Sequence, residues 1–265
     1  MFLLVNKFYC ILLLIMIICV GCEWQLKPSS DSENVSITVD RYDRIETLYL
    51  TTGDYSALQQ MNTIYPMQTR MLFEDILHIG KVDSPDINVR FHTFFQDSTL
   101  QVLLRDVQKQ YGEMSDIESE LSAAFTRLKE DLPSIEIPQI YAQVGSFDQS
   151  IVVGSGIVGI SLDKYLGADY PFYQNHYSES ERKMMVRSMI VPDCLGFYLL
   201  SIYPMPSRET SNIMQRSAYM GRIQWVVNKA VGRKVFDCSF VIGAGKLMSG
   251  NKQLTVQQLL TTAPL

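Results

Sequence analysis

"QIYAQVGSFDQSIVVGSGIVGISLD", residues 139–163, holds three short β-branched runs bounded by Gly, Ser and Asp. Runs of this kind predict three strands joined by tight turns. Inside it, GSGIVG (154–159) fits the G-x-G-x-x-G dinucleotide pattern. That fingerprint works only where a helix opens within it, because the helix N-terminus holds the pyrophosphate. The residues that follow, ISLDKYLG, alternate like a strand. The glycines are therefore expected to turn the chain between strands, and no cofactor is expected.

Helical patterns flank this stretch. Upstream, a strand is predicted near 37–42. Asp54 should cap a helix carrying Leu58, Met61 and Tyr65, which Pro66 interrupts. The pattern resumes through Met71, Leu72 and Ile76 to Gly80, and a polar loop holds Pro85. Leu100, Leu103, Leu104, Val107 and Tyr111 share one helical face, and Ile117, Leu121, Ala124, Phe125, Leu128 and Leu132 share another. Such stripes are core faces. Downstream, Ser178 and Glu181 form a capping-box pattern. VPDCLGFYLLSIYP (191–204) reads as a short apolar helix, and Ile213, Met220, Ile223, Val227 and Ala230 as a long amphipathic face. The fold class is α+β, a mostly helical single domain around a small β-sheet, spanning 37–265.

The N-terminus is of another kind. Lys7 precedes FYCILLLIMIICV (8–20), thirteen apolar residues ending at Gly21-Cys22. A bilayer span needs ~20, so the run reads as a signal peptide over 1–21. Its end resembles the bacterial lipoprotein box, in which the cysteine is lipidated. Cys22 is thus the expected lipidation site and tether to a membrane, with 22–36, polar and serine-rich, as a flexible linker. Two cysteines then remain in the domain, Cys194 and Cys238, either paired or free and buried.

The formal charge is −5 and no basic run interrupts the chain, which argues against a nucleic-acid partner. His78, His92 and His176 are too far apart in sequence for a helical zinc pair, and H-E-x-x-H is absent. No metal site is expected. GAGKL (243–247) lacks the leading glycine and the Ser or Thr of a phosphate loop. ISLDKYLGADYPFY (160–173) carries Asp163 and Asp169, with His176 beyond, and reads as the last strand and its exit loop, with solvated acids.

The order of these pieces resembles the gliding-motility lipoprotein B (GldB) family of Bacteroidetes over about 40–205. The most specific matches are Leu-Asp-x-Tyr-Leu-Gly at 162–167, Tyr65-Pro66 and Val191-Pro192-Asp193. The resemblance implies an envelope lipoprotein of the gliding and secretion machinery, with other envelope proteins as partners. The family also looks distantly related to zinc peptidases of the gluzincin type, which implies a degenerate metallopeptidase frame. The matching helix, near 183–200, offers no histidine and only Asp193 as an acid, so no catalytic residue is expected. Asp163, Tyr165, Asp169 and Asp193 are the expected groove or contact residues. The expectation is a non-enzymatic binding or assembly component. A hydrolase with a non-standard site, assembled from scattered residues, is the alternative.

Overall fold

Residues 35–39 alternate outward and inward, with Ile37 and Val39 buried. In the computed structural model, which describes residues 34–207 and 211–262, this segment lies along helix Ser115–Asp131. The backbone N–H groups of Val35, Ile37 and Val39 donate to Thr126 Oγ1, Ser122 Oγ and Glu118 Oε1, at 3.1, 2.9 and 2.9 Å. Two extended residues advance about 6.7 Å and four helical residues about 6 Å. The near match of these steps lets one stripe of helix side chains take the place of a neighbouring strand. Val35, expected in the linker, is therefore part of this contact, whereas Cys22 and the signal segment lie outside the described residues. The strand predicted over 37–42 narrows to β1 (Val39–Asp40), because the first helix already begins at Tyr42.

Helix α1 (Tyr42–Thr52) ends at Gly53, whose φ of 71° favours a residue without Cβ. Asp54 then caps α2 (Tyr55–Thr63) by accepting from Ser56 N at 2.7 Å. Tyr65 is not on that helix; it stands before Pro66, which opens α3 (Pro66–Met71), and a π-helical turn over Leu72–Ile76 follows. The polar loop expected around Pro85 contains a helix, α4 (Ile87–Phe94), with Ile87 and Phe91 facing inward. Helices α5 (Ser98–Gln110) and α6 (Ser115–Asp131) follow, and all the leucines, aromatics and β-branched residues of the α6 stripe are buried.

The three expected strands form as β2 (Gln139–Gln143), β3 (Ile151–Val153) and β4 (Ile157–Ser161). The sheet order is β1-β2-β4-β3, with β1, β2 and β4 parallel and β3 antiparallel at the edge. Only β3 and β4 are joined by a tight turn: Gly154 N donates to Ile157 O at 2.9 Å and Gly156 has φ 74°. GSGIVG is thus a hairpin and opens no helix. Strand β4 inserts between β2 and β3, so the link from β2 to β3 is a seven-residue loop and not the tight turn expected. Every residue of β4 is buried, as befits an inner strand covered on both faces.

The chain then forms α7 (Pro171–His176), α8 (Glu179–Arg182) and a 3-10 turn at Arg187–Met189, followed by α9 (Ile190–Ile202), α10 (Ile213–Val231), α11 (Ser239–Gly250) and α12 (Val256–Thr261). The Ser178–Glu181 capping box is present. Ile213, expected on the buried face of α10, is 75% exposed, because the packed face begins further along, at Tyr219. GAGKL lies inside α11. Cys194 and Cys238 are both free, the first buried and the second exposed.

Candidate functional site

Strand β4 delivers the chain into a turn at Leu162–Lys164, and there Asp163 is fully buried. It is not the solvated acid expected of an exit loop. Its two carboxylate oxygens accept from Gly145 N at 2.7 Å and Phe147 N at 2.6 Å. Both donors sit in the loop after β2, where Ser146 and Phe147 hold φ of 52° and 68°. Left-handed backbone costs non-glycine residues energy and persists only where surrounding contacts enforce it. Asp163 is that enforcement. Burial pushes its carboxyl above the usual range, and the two N–H bonds oppose the rise.

The rest of ISLDKYLGADYPFY closes around this clamp. Tyr173 OH donates to the Asp163 carbonyl and accepts from Leu166 N. Lys164 Nζ donates to Phe147 O and to Tyr177 OH. The Phe147 ring stacks on Phe172 at 3.9 Å, and Phe172 on His176 at 4.1 Å. Asp163 therefore shapes the site from behind. Asp169 is exposed and lines no part of the cleft described next.

Tyr165 and Asp193 do meet. The Tyr165 carbonyl accepts from Tyr111 OH at 2.6 Å and Gln110 Nε2 at 3.1 Å, which fixes the residue. Its hydroxyl donates to Asp193 Oδ2 at 2.8 Å. Asp193 stands in the first turn of α9 behind Pro192, where a missing N–H costs nothing and the helix dipole favours an acid. The two side chains share a cleft of about 250 Å³ with Ser150, Lys164, Tyr177 and Met184. No second donor reaches the Asp193 carboxylate among the described residues. Burial raises its pKa to about 6, against the lowering effect of the Tyr165 hydroxyl. The adjacent Cys194 thiol is pushed up to about 12 by burial, which removes it as a nucleophile.

A second buried polar layer escaped the sequence reading. On α1, Asp43 and Glu46 are both fully buried. Arg41 holds Asp43 through two bonds of 2.8 Å. Glu46 Oε2 accepts from Val144 N at 2.9 Å, while its Oε1, the Tyr141 hydroxyl and Gln143 Oε1 have no hydrogen-bond partner. Burial first, then Asp43 and Asp163, push the Glu46 carboxyl well above its ordinary range, against the Val144 bond. A protonated carboxyl carries its own donor, which suits a layer short of donors. The sequence signal for Glu46 was its spacing with Tyr42, Tyr49 and Leu50, all buried on one face of α1.

Among the described residues, no three of His, Cys, Asp and Glu lie together so as to hold a metal ion. Within the stretch 183–200, α9 begins only at Ile190, after the 3-10 turn at Arg187–Met189. Among the same residues no helix is long and apolar enough to cross a membrane. No curated protein and no solved structure matches the chain. The sequence does match a family described as gliding motility protein GldB over residues 23–235, so the chain belongs to the GldB family of gliding-motility proteins.

Proposed function

We propose that the protein is a lipid-anchored component of the cell envelope, tethered through Cys22, that works by binding another envelope protein. Family membership supplies the gliding-motility setting. The Asp193 cleft is the observation that carries the binding reading. Its carboxylate has one hydrogen bond and faces a pocket lined by Tyr165, Tyr177, Met184 and Met185, with Lys164 and Glu181 beside them. Such a pocket suits a basic side chain of a partner: the carboxylate takes the charge and the Tyr and Met surfaces take the alkyl stem. Hydrolysis would need a nucleophile or a metal-bound water besides this acid. Of the neighbouring candidates, Glu181 is engaged in the capping box and Lys164 on Phe147 and Tyr177, and the Ser150 hydroxyl interacts with that of Tyr165.

The sheet followed by α9 is the order of elements on which a degenerate gluzincin-like frame is proposed. The experiment is run on the full chain in its native envelope, with a photo-crosslinker at Met184. Capture of one partner, lost in Asp193→Asn, supports binding at the cleft. Fatty-acid labelling of the same protein, lost in Cys22→Ala, supports the anchor. Labelling that survives Cys22→Ala overturns the anchor, and crosslinking indifferent to Asp193→Asn overturns the cleft.

A further inference from the structure

The last described third of the chain carries a surface of different character. Helix α11 packs on α10 through Val241 and Ala244, and Gly221 lets the Phe240 backbone come close. Its opposite face is exposed and holds Ile242, Gly243, Lys246, Leu247 and Gly250, one stripe at helical spacing. Ile242 is 49% and Leu247 45% exposed. Residues 238–265 contain Lys246 and Lys252 and no acid, in a chain with 28 acids to 23 bases. Neither lysine makes an ion pair among the described residues. Twelve residues make a helix of about 18 Å, too short to span a bilayer and suited to lying in its interface.

Beside this face is an open groove of about 560 Å³. Trp225, Phe236 and Ile242 give it an apolar floor, and Lys229, Arg233 and Lys234 stand around it. These cations pair with Asp131, Glu120 and Asp237. Surface pairs of this kind are worth little, so a phosphate can replace them. The first described residues end near the same place. From Val39 to Val35 the chain runs toward the C-terminal end of α6, where Asp131 holds Lys229 and Arg127 donates to Ala230 O at 2.6 Å. Between Val35 and Cys22 lie twelve residues, which reach at most about 45 Å.

We propose that the α10–α11 corner is a membrane-contact face that seats on anionic phospholipid, with Ile242 and Leu247 in the interface and the lysines on headgroup phosphates. The nearness of a bilayer rests on the anchored reading above. Helix α11 lies outside the residues matched to the family, which end at 235, whereas Trp225, Lys229, Arg233 and Lys234 lie within them.

The test uses residues 34–265, a compact unit with its own core and without Cys22. Trp225 is the only tryptophan in that piece, because the chain's other one is Trp24. The protein should float with vesicles of phosphatidylcholine plus phosphatidylglycerol and not with phosphatidylcholine alone. Trp225 emission should shift to the blue and be quenched by brominated lipid. Replacing Ile242 and Leu247 together by Glu should weaken binding by about tenfold or more, since each side chain buries apolar area in the interface. Lys246→Glu with Lys252→Glu is the second variant, should the first fail to fold. Absence of flotation, unchanged Trp225 emission, or equal binding by a folded variant overturns the proposal. So does concentration-dependent self-association that the variant abolishes, which would assign the face to a second copy. None of these outcomes touches fatty-acid labelling at Cys22, so failure here and failure of the anchor are told apart.

Discussion

Replacing Asp163 by Ala should cost the domain about 2–4 kcal/mol. The figure follows from what the carboxylate holds: the N–H groups of Gly145 and Phe147, at 2.7 and 2.6 Å, in a buried setting. A buried N–H left without an acceptor costs roughly 1–3 kcal/mol, and alanine orphans both. Ser146 and Phe147 also sit at φ of 52° and 68°; without the clamp the loop can relieve its strain, which returns part of the loss. Asp163→Asn keeps one acceptor and sets an amide NH₂ against the other N–H, so about 2–3 kcal/mol is expected. Urea denaturation of residues 34–265 measures both, and amide exchange at Gly145 and Phe147 reports the loop directly. A loss below about 1 kcal/mol for Asp163→Ala, with those amides still protected, would refute the clamp.

Asp193 yields a pH signature. Its carboxyl is raised from the usual carboxylate value to about 6, so between ~pH 4 and 6 the unfolded chain has lost a proton that the folded one keeps. Stability from this group is complete below that window and falls across it, by a ceiling of about 3 kcal/mol. Asp193→Asn should match the wild type near pH 4 and exceed it above pH 6, as read by urea midpoints; a constant offset across the window would refute the assignment. A Cβ on Gly221 would lie 2.5 Å from Phe240 Cβ, whereas one on Gly243 meets nothing within 4 Å. Gly221→Ala should therefore cost about 1–3 kcal/mol or more and Gly243→Ala should stabilise by about 0.5–1 kcal/mol, and thermal melts giving the same sign for both would contradict the crossing geometry.

The long periodic segments were legible in the sequence because their period reports burial directly. The stripe of α6 is the clearest case, with Ile117, Leu121, Ala124, Phe125 and Leu128 all inside. Helix α4 was not legible, since eight residues with two inward positions leave too short a pattern to tell from a loop. Strand order was also hidden. Short β-branched runs bounded by Gly, Ser and Asp mark β2, β3 and β4 but do not say that β4 lies between the others. For the candidate site, the meeting of Tyr165 and Asp193 involves residues 28 positions apart, and the motifs that pointed to them came from family resemblance and not from spacing. Asp163 was misread because its partners are backbone N–H groups 16 and 18 residues upstream, and a backbone donor leaves no residue type to recognise. Asp43 and Glu46 were passed over because acids on a helix usually mark its solvated face.

The central claim, that the Asp193 cleft binds a basic side chain and does no chemistry on it, is tested most directly by one peptide-library measurement. Residues 34–265 are incubated with a random peptide library, with and without added zinc, and retained and cleaved peptides are read together by mass spectrometry. The account predicts retained, intact peptides enriched in Lys or Arg at one position, with the enrichment lost in Asp193→Asn. Peptides cut by the wild type and spared by Asp193→Asn would show a working hydrolase site where the account places a binding cleft.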